Sequence, residues 1–283
     1  MQEEQFSIHA DIEEKHWWFV GRRKILSNIV NTLLIPNKTT TIIDIGCGTG
    51  ANIACLAKQY NCIGIDTSKL AIKHATKRFP SVNFICGFAP EDLGDLAKSA
   101  DIFIITDVME HIDDDFLFLS SLISVSKPGA YFLITVPADM NLWSNHDVAF
   151  GHFRRYDISR LRASWDGLPV KEVLASYYNS RLYPIVRCLR TISKIRNKSW
   201  GENSTDFSMP LDFVNRALTI LFSGEFNQLK KQLMHTNPIP SFGHGVSLIA
   251  ILQRQTGNFQ PRIKPLDVQK DSHQPLLQKE FRN

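Results

Sequence analysis

Residues 41–50 read Thr-Ile-Ile-Asp-Ile-Gly-Cys-Gly-Thr-Gly. An apolar, β-branched run ends at three glycines, Gly46, Gly48 and Gly50, with one residue between each pair. Glycine adopts backbone angles that other residues resist, and it lets a ligand lie close against the main chain. The stretch 51–60 reads as a helix, and the first N–H groups of a helix have no partner within it. A nucleotide-like ligand suits such a turn. A dinucleotide fingerprint is spaced Gly-x-Gly-x-x-Gly and receives a pyrophosphate. Here the spacing is Gly-x-Gly-x-Gly, and Asp44 precedes it. A carboxylate there is poorly placed for a pyrophosphate and well placed for a cation.

Asp66 lies 20 residues after Gly46, at the end of a second apolar run. A carboxylate only accepts hydrogen bonds, so it suits the two donors of a ribose. Its competing role is a helix N-cap, although Ser68 is equally able to cap that helix. Further on, 107–112 read Asp-Val-Met-Glu-His-Ile, and the loop 137–157 concentrates Trp143, His146, Asp147, His152, Arg154, Arg155 and Tyr156 within fourteen residues. Loops on a rigid scaffold commonly carry function. His146, Asp147 and His152 have the right chemistry for a metal, but no second acid or cysteine is clearly presented with them, so no metal is expected. A His–Asp neighbour pair acting as general base and a structural loop tied by Arg–Asp pairs are the two remaining readings of that loop.

The segment 44–50 resembles, residue for residue, the first motif of the class I S-adenosylmethionine-dependent methyltransferases. The 107–111 segment resembles that family's Asp/Glu-x-x-Glu-His motif, and the Lys127-Pro128-Gly129 turn before an apolar strand is similar to the family's as well. His16-Trp17-Trp18-Phe19, Arg22-Arg23 and the 146–156 loop resemble one bacterial branch acting on small molecules. The resemblance covers residues 16–162 well and the rest weakly. It implies S-adenosylmethionine as cofactor. Asp44, Gly46, Cys47, Gly48 and Gly50 would surround its methionine end, Asp66 and Thr67 the ribose, and Asp107 the ammonium. Arg22 or Arg23, of which Arg23 is the candidate, would meet the carboxylate under an N-terminal lid. His111, His146 and His152 are the candidate bases, and Trp17, Trp143, Arg155 and Tyr156 the candidate acceptor contacts. Where many members carry an acid near the adenine this chain has Phe88, which either stacks on the ring or is buried.

The elements that must hold these residues alternate strand and helix, the mark of a parallel sheet. Strands are expected at 41–46, 62–66, 82–86, 101–106, 130–136, 170–178 and 247–253. The architecture is an α/β, Rossmann-like, doubly wound and mostly parallel seven-stranded sheet, with an N-terminal helical cap and a helical insertion before the last strand. The boundaries are a cap at 1–36, a cofactor-binding core at 37–180, an insertion at 181–240, the last strand at 241–256 and a polar tail at 257–283. The tail's composition predicts disorder. Trp17 and Trp18 are either core anchors or part of the lid. Residues 181–198 form a basic amphipathic helix. Packing on the domain as a substrate cap is one reading of it, and peripheral contact with a membrane or an acidic, lipid-like acceptor is the other.

At 283 residues, 43% hydrophobic, the chain can build a substantial core. A net charge of +4 does not by itself imply nucleic acid, and no nucleic-acid module is visible. The charge is uneven: residues 153–200 carry eleven Lys/Arg against three acids. Five cysteines fit neither a zinc knuckle nor a disulfide framework and predict a reducing, cytoplasmic setting. No apolar run approaches the ~20 residues that span a bilayer. The chain therefore reads as a methyltransferase moving a methyl group to an oxygen or nitrogen of a small molecule. The alternatives are a member that binds its cofactor or a partner without catalysis and an NAD-dependent oxidoreductase, which the glycine spacing disfavours. The oligomeric state is left open.

Overall fold

The computed structural model describes residues 10, 12–196, 209–234 and 242–257. Five apolar runs become the parallel strands β1 (Thr41–Ile45), β2 (Asn61–Asp66), β3 (Asn83–Cys86), β4 (Ile102–Thr106) and β5 (Tyr131–Pro137). β1 and β4 are buried along their whole length, as strands covered on both faces must be. β6 (Val170–Tyr178) and β7 (Ser247–Arg254) complete a sheet of order β3-β2-β1-β4-β5-β7-β6, with β7 antiparallel to both its neighbours. This is the Rossmann-like, doubly wound arrangement expected of the chain.

The helices are α1 (Trp17–Leu33), α2 (Ala51–Ala54), α3 (Lys69–Arg78), α4 (Asp95–Ser99), α5 (Asp115–Val125), α6 (Asn145–Ala149), α7 (Ile158–Ala163), α8 (Tyr183–Arg196), α9 (Asp212–Ser223) and α10 (Phe226–Met234). Successive strand residues point to opposite faces, and two cores result. Ile43, Ile45, Phe103, Ile105, Phe132 and Ile134 pack on one side with Phe116 and Leu119 of α5. Ile42, Ile102, Ile104 and Leu133 pack on the other with Ile25, Ile29 and Val30 of α1.

One expected helix is cut short. Beyond Ala54 the chain makes tight turns, Leu56 N–H to the Ile53 carbonyl and Ala57 N–H to the Ala54 carbonyl, so 51–60 is one helical turn followed by a coil of i→i+3 bonds. The insertion supplies three helices among the described residues where two apolar segments were expected. Residues 197–208 and 235–240 of the insertion, residue 241 and 258–283 of the tail lie outside the described residues, and with them the expectation of a disordered tail.

The order of the strands reverses between β1 and β4. Open α/β sheets bind ligands at that point, beyond the carboxyl ends of the strands. Two elements close over it. Gly21 of α1 lets Phe222 of α9 approach so closely that a Cβ there would stand 2.6 Å from the ring. Asn215 of α9 fixes the start of α1, accepting from the Trp17 N–H at 2.7 Å and donating to the Lys15 carbonyl at 2.8 Å. The insertion and the N-terminal segment are thus packed against each other.

Candidate functional site

The glycine turn leaves β1 with Gly46 at φ +67°, Gly48 at φ +54° and Gly50 at φ +90°. These angles lie in the left-handed region, where a side chain costs roughly 1–2 kcal/mol. The Gly46 and Cys47 N–H groups are held by the Ile65 carbonyl, which ties the turn to β2. Asp66 finishes the job: its carboxylate accepts from the Gly48 N–H at 2.9 Å and the Ser68 N–H at 2.8 Å. A Cβ on Gly48 would meet nothing within 4 Å, so the main chain there fronts open space.

That space is a cavity of about 400 Å³. Gly46, Cys47 and Gly48 form one wall, Trp17, Trp18 and Arg22 of α1 the roof, and Asp107, Glu110, His111, His146 and His152 the opposite side. Behind the turn Asp44 is fully buried, and neither carboxylate oxygen has a hydrogen-bond partner among the described residues. Desolvation pushes its carboxyl up to about 8, against a smaller opposing pull from Arg22.

Arg22 lies under the Trp18 ring, its guanidinium carbon 4.2 Å from the ring centre, and pairs with Asp107. Its Nε is buried with no partner among the described residues. Asp107 is presented by a left-handed backbone at φ +56° immediately after β4, and its other oxygen accepts from the Thr135 hydroxyl at 3.2 Å. Glu13, also on the cavity wall, bridges the N-terminal segment to the turn: it accepts from the Thr49 hydroxyl at 2.6 Å and pairs with Arg78.

The far side is built by the 137–157 loop. Asp147, fully buried, receives Arg155 through both oxygens, Nε at 2.8 Å and Nη2 at 3.1 Å, and His152 Nδ1 at 2.9 Å. Arg155 and the His152 hydrogen bond hold its carboxyl well below the usual range despite its burial. The His152 ring stands perpendicular to that of His111, centroids 4.7 Å apart. Burial, reinforced by His152, lowers His111 to about 3, and burial then Arg190 push His146 well below the ordinary imidazole value. Both are neutral at pH 7. Glu110 sits beside them, completely buried, with both oxygens unpartnered among the described residues.

The cavity therefore brings together Trp17, Gly46, Cys47, Gly48, Asp107, His111, His146, His152 and Arg155 from the expected set. Asp44, Gly50, Asp66 and Thr67 are not on its wall; Asp44 backs the turn and Thr67 is exposed beyond Asp66 at the end of β2. Four expectations change. Arg23 faces a separate groove with Lys24, Asn31 and Cys55 and donates to the Glu13 carbonyl, because successive residues of a helix diverge by about 100° and Arg22 holds the inward position. Tyr156 is a core residue whose hydroxyl donates to Asp115 at 2.9 Å. Trp143 stands off the cavity wall, and Arg155 reaches it only with a guanidinium already held by Asp147 and the Ala138 carbonyl. Phe88 is not buried but 66% exposed. Glu13 and Glu110 were not singled out in the sequence. Glu110 stood inside the Asp-x-x-Glu-His segment, whereas nothing local marked Glu13 among its neighbouring acids.

Compared with known proteins, the chain matches a family described as a methyltransferase domain over residues 19–181. A 2-methyl-6-phytyl-1,4-hydroquinone methyltransferase of Synechocystis sp. is 31% identical over 131 residues, 44% of this chain and 40% of that protein. A trans-aconitate 2-methyltransferase of Rhodopseudomonas palustris is 27% identical over 168 residues, 56% of this chain and 60% of that protein. The chain thus spans about half the length of these relatives. In structure it is similar to the plantazolicin methyltransferase BpumL in complex with a monoazolic desmethylPZN analog and SAH, with a TM-score of 0.52 at 17% identity over 89% of this chain and 90% of that one.

Proposed function

The chain belongs to the methyltransferase-domain family, whose methyl donor is S-adenosylmethionine, and on that premise we propose that it methylates an oxygen or nitrogen of a small molecule held in the cavity. One observation carries the reading. The cofactor's amino-acid end is a zwitterion, and around the glycine turn an acid and a base each bury polar atoms without a partner among the described residues, the Asp44 carboxyl oxygens and the Arg22 Nε. An unpartnered buried polar group is costly, and a ligand carrying an ammonium and a carboxylate satisfies both. The open face of Gly48 leaves room for it against the main chain.

When bound, the cofactor supplies an activated methyl group on a positively charged sulfur. The residues do the rest. Gly46, Gly48 and Gly50 let the main chain come close, Asp44 and Asp107 place negative charge near the cationic end, and Arg22 answers the carboxylate. Asp66 keeps outward lone pairs for the ribose while it pins Gly48. Trp17 and Trp18 exclude water, which strengthens the electrostatic terms inside. Positioning of this kind is worth roughly 7–11 kcal/mol of barrier. His111 and His146, held neutral, line the acceptor's side of the cavity and help to orient it. The bound cofactor would supply the methyl group, and the acceptor's displaced proton would pass to water rather than rest on these weakly basic rings. With basicity so low, orientation matters more than proton abstraction for these two.

Calorimetric titration of the purified chain with S-adenosylmethionine, and separately with NADH, tests the reading. Micromolar binding of the first alone is the expected result, and Arg22→Leu should weaken it at least tenfold. Binding of NADH alone, or transfer to no acceptor by a chain that binds the cofactor well, would defeat it.

A further inference from the structure

A cofactor in the glycine turn does not account for Glu110. Glu110 is fully buried, yet both its carboxylate oxygens lack a hydrogen-bond partner among the described residues. A buried carboxylate left so is expensive unless a proton or a cation joins it. Two imidazoles stand beside it. One carboxylate oxygen of Glu110 and one ring nitrogen each of His111 and His152 all lie within 4.8 Å of one another.

The surroundings are those of a metal site. His152 offers Nδ1 to Asp147 at 2.9 Å, and a carboxylate on that nitrogen fixes the tautomer that leaves Nε2 free for an ion. Asp147 is itself locked by Arg155, so the imidazole cannot easily rotate away. The cations nearby are engaged: Arg22 by Asp107, Arg155 by Asp147, and Arg190 by the Leu142 carbonyl, with Asp147 at 3.6 Å. All three candidate ligands line the cavity, so the remaining coordination positions are open to it.

We propose that Glu110, His111 and His152 bind a divalent transition-metal ion of the zinc class on the acceptor side of the cavity. Two imidazoles and one carboxylate with open positions suit such ions. No thiol takes part: among the cysteines only Cys47 lines the cavity, on the opposite wall. If the methyltransferase reading holds, an oxygen of the acceptor completes the coordination, and acceptors with neighbouring oxygens are favoured over simple amines. The expectation of no metal looked to His146, Asp147 and His152. The fold pairs Asp147 with Arg155 instead and groups His152 with two residues from the end of β4.

The test uses the untagged full chain, stripped with a chelator and titrated with Zn²⁺ by calorimetry and with Co²⁺ by visible absorption. One ion per chain is expected, and Glu110→Gln and His152→Ala should each weaken it at least tenfold. Both variants are checked for a wild-type circular dichroism spectrum. X-ray absorption of the zinc-loaded wild type needs no variant and should show nitrogen and oxygen neighbours without sulfur. No saturable binding of either ion, unchanged binding in folded variants, or sulfur in the first coordination sphere would overturn the proposal. S-adenosylmethionine is titrated into the same preparation. Cofactor binding without metal binding defeats this site alone, whereas metal binding without cofactor binding supports the site and defeats the functional reading.

Discussion

Asp44 and Asp66 are both carboxylates at strand ends beside one glycine turn, and the structure gives them opposite conditions. Asp66 is solvated in part and receives two main-chain N–H groups. Asp44 is buried without partners among the described residues and pushed up to about 8, so at pH 7 it is mostly protonated. A cation arriving beside it favours the ionised form. Binding of S-adenosylmethionine at pH 7 should therefore release close to one proton, and Asp44→Asn should abolish the release. Calorimetry in two buffers of different ionisation enthalpy reads this directly, and an unchanged apparent enthalpy would place the cationic end elsewhere. Asp66→Ala should cost at least tenfold in cofactor affinity, about 1.4 kcal/mol. For the acceptor side, His146→Ala and His152→Ala should lower turnover more than cofactor affinity. Steady-state kinetics set against titration separates the two, and full activity in both variants would leave His111, or positioning alone, to serve the acceptor.

At the scale of the element, the turn and the cap make separable contributions. Gly48→Ala meets no steric obstacle but keeps φ +54°, so its stability loss should stay near 1–2 kcal/mol. Its new methyl group would stand where the ligand approaches, and cofactor affinity should fall further than stability does. Thermal melts with and without cofactor distinguish the two losses. The cap behaves differently. Phe222 is fully buried against Gly21 and Trp17. Phe222→Ala should cost roughly 3–5 kcal/mol, and because Trp17 roofs the cavity, cofactor affinity should drop as well. Two basic residues of the insertion are used in packing, Arg181 donating to the Leu221 carbonyl and Arg190 to the Leu142 carbonyl, while Arg187 donates to the Tyr183 hydroxyl within α8. Arg190 is thereby held toward the loop that builds the far side of the cavity. The large exposed apolar side chains of this region include Leu211, Phe213 and Ile220, at or in α9. Among the described residues, no helix is long and apolar enough to cross a membrane.

For the molecule as a whole, buried ionisable groups set the dependence of stability on pH, with two opposing signs. His111 titrates near 3 when folded and near 6.5 when unfolded, so the unfolded chain binds the extra proton between those values. Stability is complete above 6.5 and is lost as the pH falls toward 3. Asp44, raised from 3.8 to about 8, has the reverse sign: its contribution is present below 3.8 and is lost as the pH rises through 8. Melts of the ligand-free chain should show a maximum between these limits. His111→Gln should flatten the acid limb and Asp44→Asn the alkaline one, each by on the order of a few degrees. A profile unaffected by either change would mean that other groups dominate.

The sheet, its alternation of elements, the glycine turn and the strand-end carboxylates were legible in the sequence. Each is written in a local pattern: β-branched runs, glycines at fixed spacing, a charge where a run stops. Strand boundaries agreed to within about one residue for the same reason. What the sequence could not determine is which of two adjacent arginines turns inward, since that depends on the rotation of α1 about its axis, set by Gly21 against Phe222 some two hundred residues away. It could not show that Tyr156 belongs to the core, or that Asp147 is consumed by Arg155. Nor could it join Glu110 and His111 to His152, because the loop after β5 must first fold back over the end of β4. Local spacing determines the elements and the ligand-facing turn. The partners of the side chains between elements, and with them the chemistry of the acceptor side, were decided only by long-range packing.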